Sequence, residues 1–128
     1  MVTTPKVLII DDSATSSLFM SQALRRAGYQ VITASNGNEG ITKAVQEQPH
    51  CLLLDVVLPG ISGFSVCRQL RAMDPHHNLS IIIVSSKNTK LDQSWGLRQG
   101  ADRYLPKPFS EETLLQTVAE VLHIQTRS

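Results

Sequence analysis

Cys51-Leu52-Leu53-Leu54-Asp55-Val56-Val57-Leu58-Pro59-Gly60 is the stretch on which the fold turns. A short apolar run leads straight into one acid, and a Pro-Gly turn follows. An apolar run this short, bounded by a turn signal, reads as a strand buried on both faces. Such a strand has no room for a carboxylate in its middle, because an unpaired buried charge is too costly. It has room for one at its end, where the chain leaves the sheet, and in an open parallel sheet ligands bind at that edge. Taken alone, the stretch leaves two readings of Asp55: an acid at a functional edge, or an acid that merely starts a turn.

Working outward, Lys6 to Ile10 is a second apolar strand, and it stops at Asp11-Asp12-Ser13. Asp12 or Ser13 caps the next helix, with Ala14, Leu18, Ala23 and Ala27 as inward candidates, and Gly28 ends it. Tyr29 to Ala34 alternates as a strand. Ser35-Asn36-Gly37 turns into a helix from Glu39 to Gln48, with Ile41, Ala44 and Val45 on one face, and Pro49 stops it. Beyond Gly60 a helix is expected from Ser62 to Met73, with Phe64, Val66, Cys67 and Leu70 as its apolar positions. Ser80 to Ser85 is another apolar strand, ending in hydroxyls. A weaker helix spans Asn88 to Gln99, interrupted by Gly96 and closed by Gly100, and Asp102 to Leu105 is a short strand. Ser110 caps a last helix whose stripe is Leu114, Leu115, Val118, Val121 and Leu122, and His123 to Ser128 reads as a polar tail. Strand and helix alternate throughout, which argues an α/β fold: a doubly wound parallel sheet with helices on both faces.

The length of 128 residues suits one unit with a real core, and 41% hydrophobic against 18% charged residues excludes a disordered chain. A net charge of +1 gives no electrostatic case for nucleic acid or for an anionic membrane. No stretch reaches membrane-spanning length, and Met1 to Lys6 lacks the layout of a signal peptide, so a cytoplasmic protein is expected. Cys51 and Cys67 make neither a metal motif nor a disulfide framework and read as buried free thiols. The adjacent His76 and His77 read as a solvent-exposed loop pair, because no third ligand stands at suitable spacing.

Parallel strands point their carboxyl ends to one edge. Asp11, Asp12, Asp55, Ser85 and Lys107 all follow strand ends, so they converge there although they are scattered in sequence. Three close carboxylates resist full ionisation. A hard divalent cation such as Mg2+ relieves that repulsion with oxygen ligands and retained waters. A lysine and a hydroxyl beside them make a place for a phosphoryl group, and one carboxylate can be the nucleophile that receives it. Alone, Asp12 reads as a helix cap, Lys107 as a surface charge and Tyr104 as core; their joint placement argues for function.

These motifs resemble those of response-regulator receiver domains, of the single-domain type found in chemotaxis. The resemblance rests on Asp11-Asp12-Ser13, on Asp55 with Pro59-Gly60 and Gly63, on Ser85, and on Gly100-Ala101-Asp102-Arg103-Tyr104-Leu105-Pro106-Lys107-Pro108-Phe109, in that order. It implies one receiver domain over 1–128, core about 5–123, with five strands in the flavodoxin-like order 2-1-3-4-5 and five helices. It implies a phosphorylation-dependent switch rather than an enzyme, with Asp55 the acceptor from a histidine kinase or phosphotransfer protein. Asp12 and Asp55, with the Val57 backbone carbonyl, would bind Mg2+ (or Mn2+) directly, and Asp11 mainly through water. Lys107 would pair with the acyl phosphate, preceding a cis Lys107-Pro108 bond. Ser85 and Tyr104 would be the switch pair. Ser85 stands where many relatives carry threonine, and both offer the hydroxyl. Val57 brings no polar group to orient water, which implies slow self-dephosphorylation.

Two other classes fit the residues less well. An aspartate-nucleophile phosphatase usually carries its acids one residue apart after the first strand, whereas Asp11 and Asp12 are adjacent. A flavin carrier needs a hydroxyl- and glycine-rich phosphate loop where this chain has acids. With no effector domain expected after the last helix, output should be by binding a protein target through the Asn88–Gln99 helix, the Tyr104 strand and the last helix. Trp95 there is either packing or an anchor. The stretch Trp95 to Ala101 is similar to receivers of pilus-based motility and phototaxis.

Overall fold

The computed structural model describes residues 4–76 and 78–127, with side chains through residue 123. Ten elements alternate along the chain: β1 (Lys6–Ile10), α1 (Ala14–Arg26), β2 (Gln30–Ala34), α2 (Gly37–Glu47), β3 (Cys51–Leu54), α3 (Gly63–Ala72), β4 (Ser80–Ser85), α4 (Lys90–Arg98), β5 (Arg103–Pro106) and α5 (Glu111–Arg127). The five strands form one parallel sheet in the order β2-β1-β3-β4-β5, as the receiver resemblance implies.

The apolar strands divide their side chains between two cores by the period of two. Val7, Ile9, Leu53, Ile82 and Val84 face α1 and α5, where they meet Met20, Leu24, Leu114 and Val118. Leu8, Ile10, Leu52, Leu54, Ile81 and Ile83 face the opposite layer, where they meet Ala44, Val66, Cys67 and Leu70. Burial on both faces is why β1, β3 and β4 are apolar almost without interruption. Cys51 and Cys67 are buried free thiols, and desolvation pushes the Cys67 thiol up to about 11.

Side-chain caps start the helices. Ser13, Asn36, Ser62 and Thr89 each accept a backbone N–H of the turn that follows, and Ser110 accepts the Thr113 N–H at the start of α5. Gly28 closes the α1 segment at φ +96°, as expected.

Two expectations about helix faces and one about the C-terminal end are corrected. On α1 only Ala23 of the four inward candidates is buried; Met20, Ser21 and Leu24 join it, while Ala14, Leu18 and Ala27 are exposed. Leu18 and Met20 lie more than half a turn apart, so the helix cannot bury both against one sheet. On α2, Val45 is exposed because the helix packs through Gly37, Gly40 and Ala44. A Cβ on Gly40 would lie 2.2 Å from the Ile10 side chain, so the close approach turns Val45 outward. Residues 123–127 continue α5 rather than forming a tail: Ile124-Gln125-Thr126-Arg127 contains no helix breaker, and Val121 and Leu122 anchor the preceding turn. Ser128, the end of the expected tail, lies outside the described residues, as does His77 of the histidine pair.

Gly63 closes the loop that leaves β3. Its N–H donates to the Val56 carbonyl at 2.8 Å, and a Cβ there would lie 1.9 Å from the Asp55 carbonyl oxygen. That neighbour is backbone and cannot rotate away. Gly63→Ala is therefore expected to lower the unfolding free energy by about 3 kcal/mol, the upper end for overpacking. Urea unfolding measures this, and a loss below about 1 kcal/mol would mean that the loop yields.

Candidate phosphoryl-transfer site

The edge described above is built by the backbone before any side chain acts. Ile10 pairs with Ala34 and with Leu54, and Leu54 pairs with Ile83, so the strands end nearly level. The ladder then runs one step past the strands. The Asp11 N–H donates to the Ala34 carbonyl at 3.1 Å, the Asp55 N–H to Ile10 at 3.0 Å, and the Lys107 N–H to Ser85 at 2.8 Å. These bonds hold the first residue after each strand in the sheet plane while the chain turns away. The adjacency of Asp11, Asp55 and Lys107 thus follows from strand register.

The side chains meet as that register requires. Lys107 Nζ lies 2.9 Å from Asp11 Oδ2 and 3.5 Å from Asp55 Oδ2. Asp11 is buried, and its other oxygen accepts the Ser13 N–H at 2.9 Å. Asp12 is exposed at the mouth. One carboxylate oxygen from each of Asp11, Asp12 and Asp55 lies within 4.8 Å of the other two, the one cluster of metal-ligating side chains among the described residues. An all-oxygen set open to solvent on one side fits a small hard cation that keeps part of its hydration. His76 is not part of it.

Burial holds the Asp55 carboxyl above its ordinary value of 3.8; Lys107 pulls it down, Asp11 pushes it up, and the Val57 and Val56 N–H groups pull it down. The Val57 N–H reaches Asp55 Oδ1 at 3.4 Å, while the Val57 side chain is 56% exposed and brings only methyl groups to the mouth.

Ser85 ends β4 and Tyr104 lies on β5, the next strands of the same sheet. Ser85 is fully buried, and its Oγ accepts the Lys87 N–H at 3.1 Å. The Tyr104 hydroxyl donates to the Lys87 carbonyl. Its ring lies under α4, where a Cβ on Gly96 would lie 2.9 Å from it. Burial raises the Tyr104 phenol, and the nearby Ser85 hydroxyl lowers it. Both residues of the expected pair therefore hold the same loop residue, Lys87. The Lys107-Pro108 bond is cis, as expected. Trp95 is 47% exposed on α4, one turn from exposed Leu91, and Leu97 is exposed as well.

The sequence reading missed an apolar rim beside the acids. Leu18 and Phe19 of α1 are exposed, and the Phe19 ring meets that of Phe109, two residues past Lys107, in a tilted contact with centroids 6.0 Å apart. The signal was present in the i, i+3, i+4 stripe of Met20, Ala23 and Leu24, which turns Leu18 and Phe19 outward.

Comparison with known proteins agrees with this geometry. Residues 7–119 match the model of the response regulator receiver domain. The chain is 44% identical over 117 residues to protein PilH of Pseudomonas aeruginosa, a match covering 91% of this chain and 97% of that one. It is 38% identical to the alkaline phosphatase synthesis transcriptional regulatory protein PhoP of Bacillus subtilis, over 91% of this chain and 48% of that protein, so it spans about half of that relative. Among solved structures, a CheY-like response regulator receiver domain protein of Methanospirillum hungatei superposes with a TM-score of 0.91 at 27% identity, covering 98% of both chains.

The raised Asp55 carboxyl has a measurable consequence. The native state binds its proton more tightly than the unfolded chain does, so this group's contribution to stability is fullest in acid and declines as pH rises from 3.8 through the raised native value. At neutral pH the ionised group is a cost to the fold. With divalent metal chelated, Asp55→Asn is expected to raise the thermal midpoint at pH 7 by roughly 2–5 °C, with the gain shrinking toward about pH 4. A lower midpoint at pH 7 would contradict this reading of the site.

Proposed function

The chain belongs to the response regulator receiver domain family, whose members are phosphorylation-dependent signalling switches, and on that premise we propose that Asp55 is the residue phosphorylated. The observation that carries the proposal is the Lys107 ammonium set between Asp11 and Asp55, two carboxylates delivered by neighbouring strands. The pairing keeps an acid charged in a half-buried place, which is what a carboxylate nucleophile needs. An Asp55 oxygen forms the new bond to phosphorus while the phosphorus–nitrogen bond of a donor phosphohistidine breaks and its electron pair leaves with the imidazole. Lys107 then pairs with the acyl phosphate. Asp12 and Asp55, with the Val57 carbonyl, would hold Mg2+ (or Mn2+) directly; Asp11, already occupied by Lys107 and Ser13, would act through water. When bound, the cation neutralises phosphoryl oxygens as charge moves among them.

The donor is a histidine kinase or phosphotransfer protein of a chemotaxis-type or pilus-type system. The apolar rim of Leu18, Phe19 and Phe109 supports this, since it stands beside the acids and offers a protein-sized surface. The output surface is α4, the Tyr104 strand and α5, with Trp95 as aromatic anchor. Ser85 and Tyr104 carry the change to it through Lys87. The chain serves as one receiver unit over residues 1–128, core about 5–123, acting in the cytoplasm as a switch without further enzymatic activity. Composition supports that setting, and no helix among the described residues is long and apolar enough to cross a membrane. Asp55 follows the third strand and not the first, which weighs against the aspartate-phosphatase alternative.

Acetyl phosphate with Mg2+, followed by intact mass, tests the chemistry. Wild type is expected to gain one phosphoryl group, Asp55→Asn none, and Asp12→Ala little at Mg2+ levels that saturate the wild type. Comparable labelling of Asp55→Asn would overturn the assignment. Because Val57 brings no polar group to orient water, the phosphoryl group is expected to persist for minutes or longer once the donor is removed. Decay within seconds, with no phosphatase present, would show that another group positions the water.

A further inference from the structure

Helix α4 is held very differently at its two ends. Of its residues only Gly96 is buried, and Leu91 in the first turn is 79% exposed. The Thr89–Asp92 capping box closes on itself and ties the helix to nothing else. Ahead of it, Lys87 is held by Ser85 and Tyr104, the two groups proposed to move.

The other end rests on α3. Arg71 is a nearly buried guanidinium, its side chain 9% exposed. Its Nε donates to the Gly100 carbonyl at 2.7 Å and its Nη2 to Asp102 Oδ2 at 2.6 Å. Nη1 donates to the Leu79 carbonyl, with Asp74 Oδ2 at 3.4 Å. Asp102 Oδ2 also accepts the Ile81 N–H at 2.8 Å, which carries the tie into β4. Gly100, at φ +110°, lies against the arginine stem, where a Cβ would come within 2.6 Å of Cγ. Just before it, Arg68 reaches the Gln99 side chain at 3.0 Å and the Cys67 thiol reaches the Gln99 carbonyl at 3.4 Å. A planar fork serving several acceptors at once fixes position and angle together, which the point charge of a lysine does not.

We propose that Arg71 is a positioning residue for the switch: it clamps the Gln99–Asp102 end of α4, so that phosphorylation moves the Lys87 end about a fixed pivot. This rests on the reading of Ser85 and Tyr104 given above. The clamp makes a two-state change at one loop into a swing of the exposed Leu91–Trp95 face, because a rod fixed at one end transmits a displacement that a rod loose at both ends absorbs.

The test is amide exchange on the full chain, unmodified and with Asp55 phosphorylated by acetyl phosphate and Mg2+, with intact mass reporting occupancy. In wild type, exchange is expected to change across residues 86–95 and to stay within about twofold across 97–102. In Arg71→Lys, exchange at 97–102 is expected to rise about tenfold in the unmodified protein, and the response to phosphorylation to spread into that segment, while Asp55 still labels fully. Asp102→Asn, which retains an acceptor for Ile81, should do the same to a smaller degree and serves if Arg71→Lys does not fold. Wild-type changes at 97–102 as large as those at 86–95 would overturn the pivot while leaving the Ser85–Tyr104 switch standing. Full phosphorylation with no change anywhere in 86–102 would overturn both. Exchange at 97–102 unaltered in either variant would overturn the role of Arg71 alone.

Discussion

Three carboxylates at one edge of a buried sheet are the constraint to which the rest of this molecule answers. Asp11, Asp12 and Asp55 approach within 4.8 Å, and the repulsion among them is offset by Lys107, reaching back from the loop after β5 to touch two of them. Burial makes the repulsion stronger and the lysine more valuable, since both act through a medium less polar than water. The Asp55 carboxyl sits between these influences, with desolvation the larger. A site balanced in this way responds strongly to an added charge of either sign, whether a divalent cation or a phosphoryl group.

Such a balance needs an unyielding frame. The backbone ladder supplies it by running one residue past the strands, so that Asp11, Asp55 and Lys107 are placed by main-chain bonds before their side chains meet. Gly63 packs against the Asp55 carbonyl with no room for a methyl group. Two fully apolar cores lock the sheet from both faces. Against this rigidity stands α4, with a single buried residue and its exposed aromatic and leucines. Local stability is lowest where buried contacts are fewest, and an uneven distribution of this kind is what a switch requires.

Much of this was legible in the chain itself. Apolar runs that stop at acids, hydroxyls or a Lys-Pro pair mark strands buried on both faces, and alternation with amphipathic helices leaves a parallel sheet as the simplest solution. The helix caps were readable because a hydroxyl or amide just before an apolar stripe has one local use. Less legible were the faces of α1 and α2. Leu18 and Val45 look like core residues in sequence, yet face solvent because smaller neighbours set how closely each helix meets the sheet. The outward turn of Leu18 and Phe19 is what puts an apolar rim beside the acids.

The sequence by itself determined the element order, the two-sided burial of the central strands and the convergence of Asp11, Asp12, Asp55, Ser85 and Lys107 on one edge, because each follows from local pattern and from parallel strands sharing a direction. Only the tertiary structure decided which groups touch. That Lys107 bridges Asp11 and Asp55, that Tyr104 reaches back to the Lys87 held by Ser85, and that Arg71 grips Gly100 and Asp102 all depend on contacts between residues 17 to 96 positions apart in the chain. Pattern reports which way a residue faces. Contact depends on register, helix depth and rotamer, which are settled jointly by the packing of all ten elements.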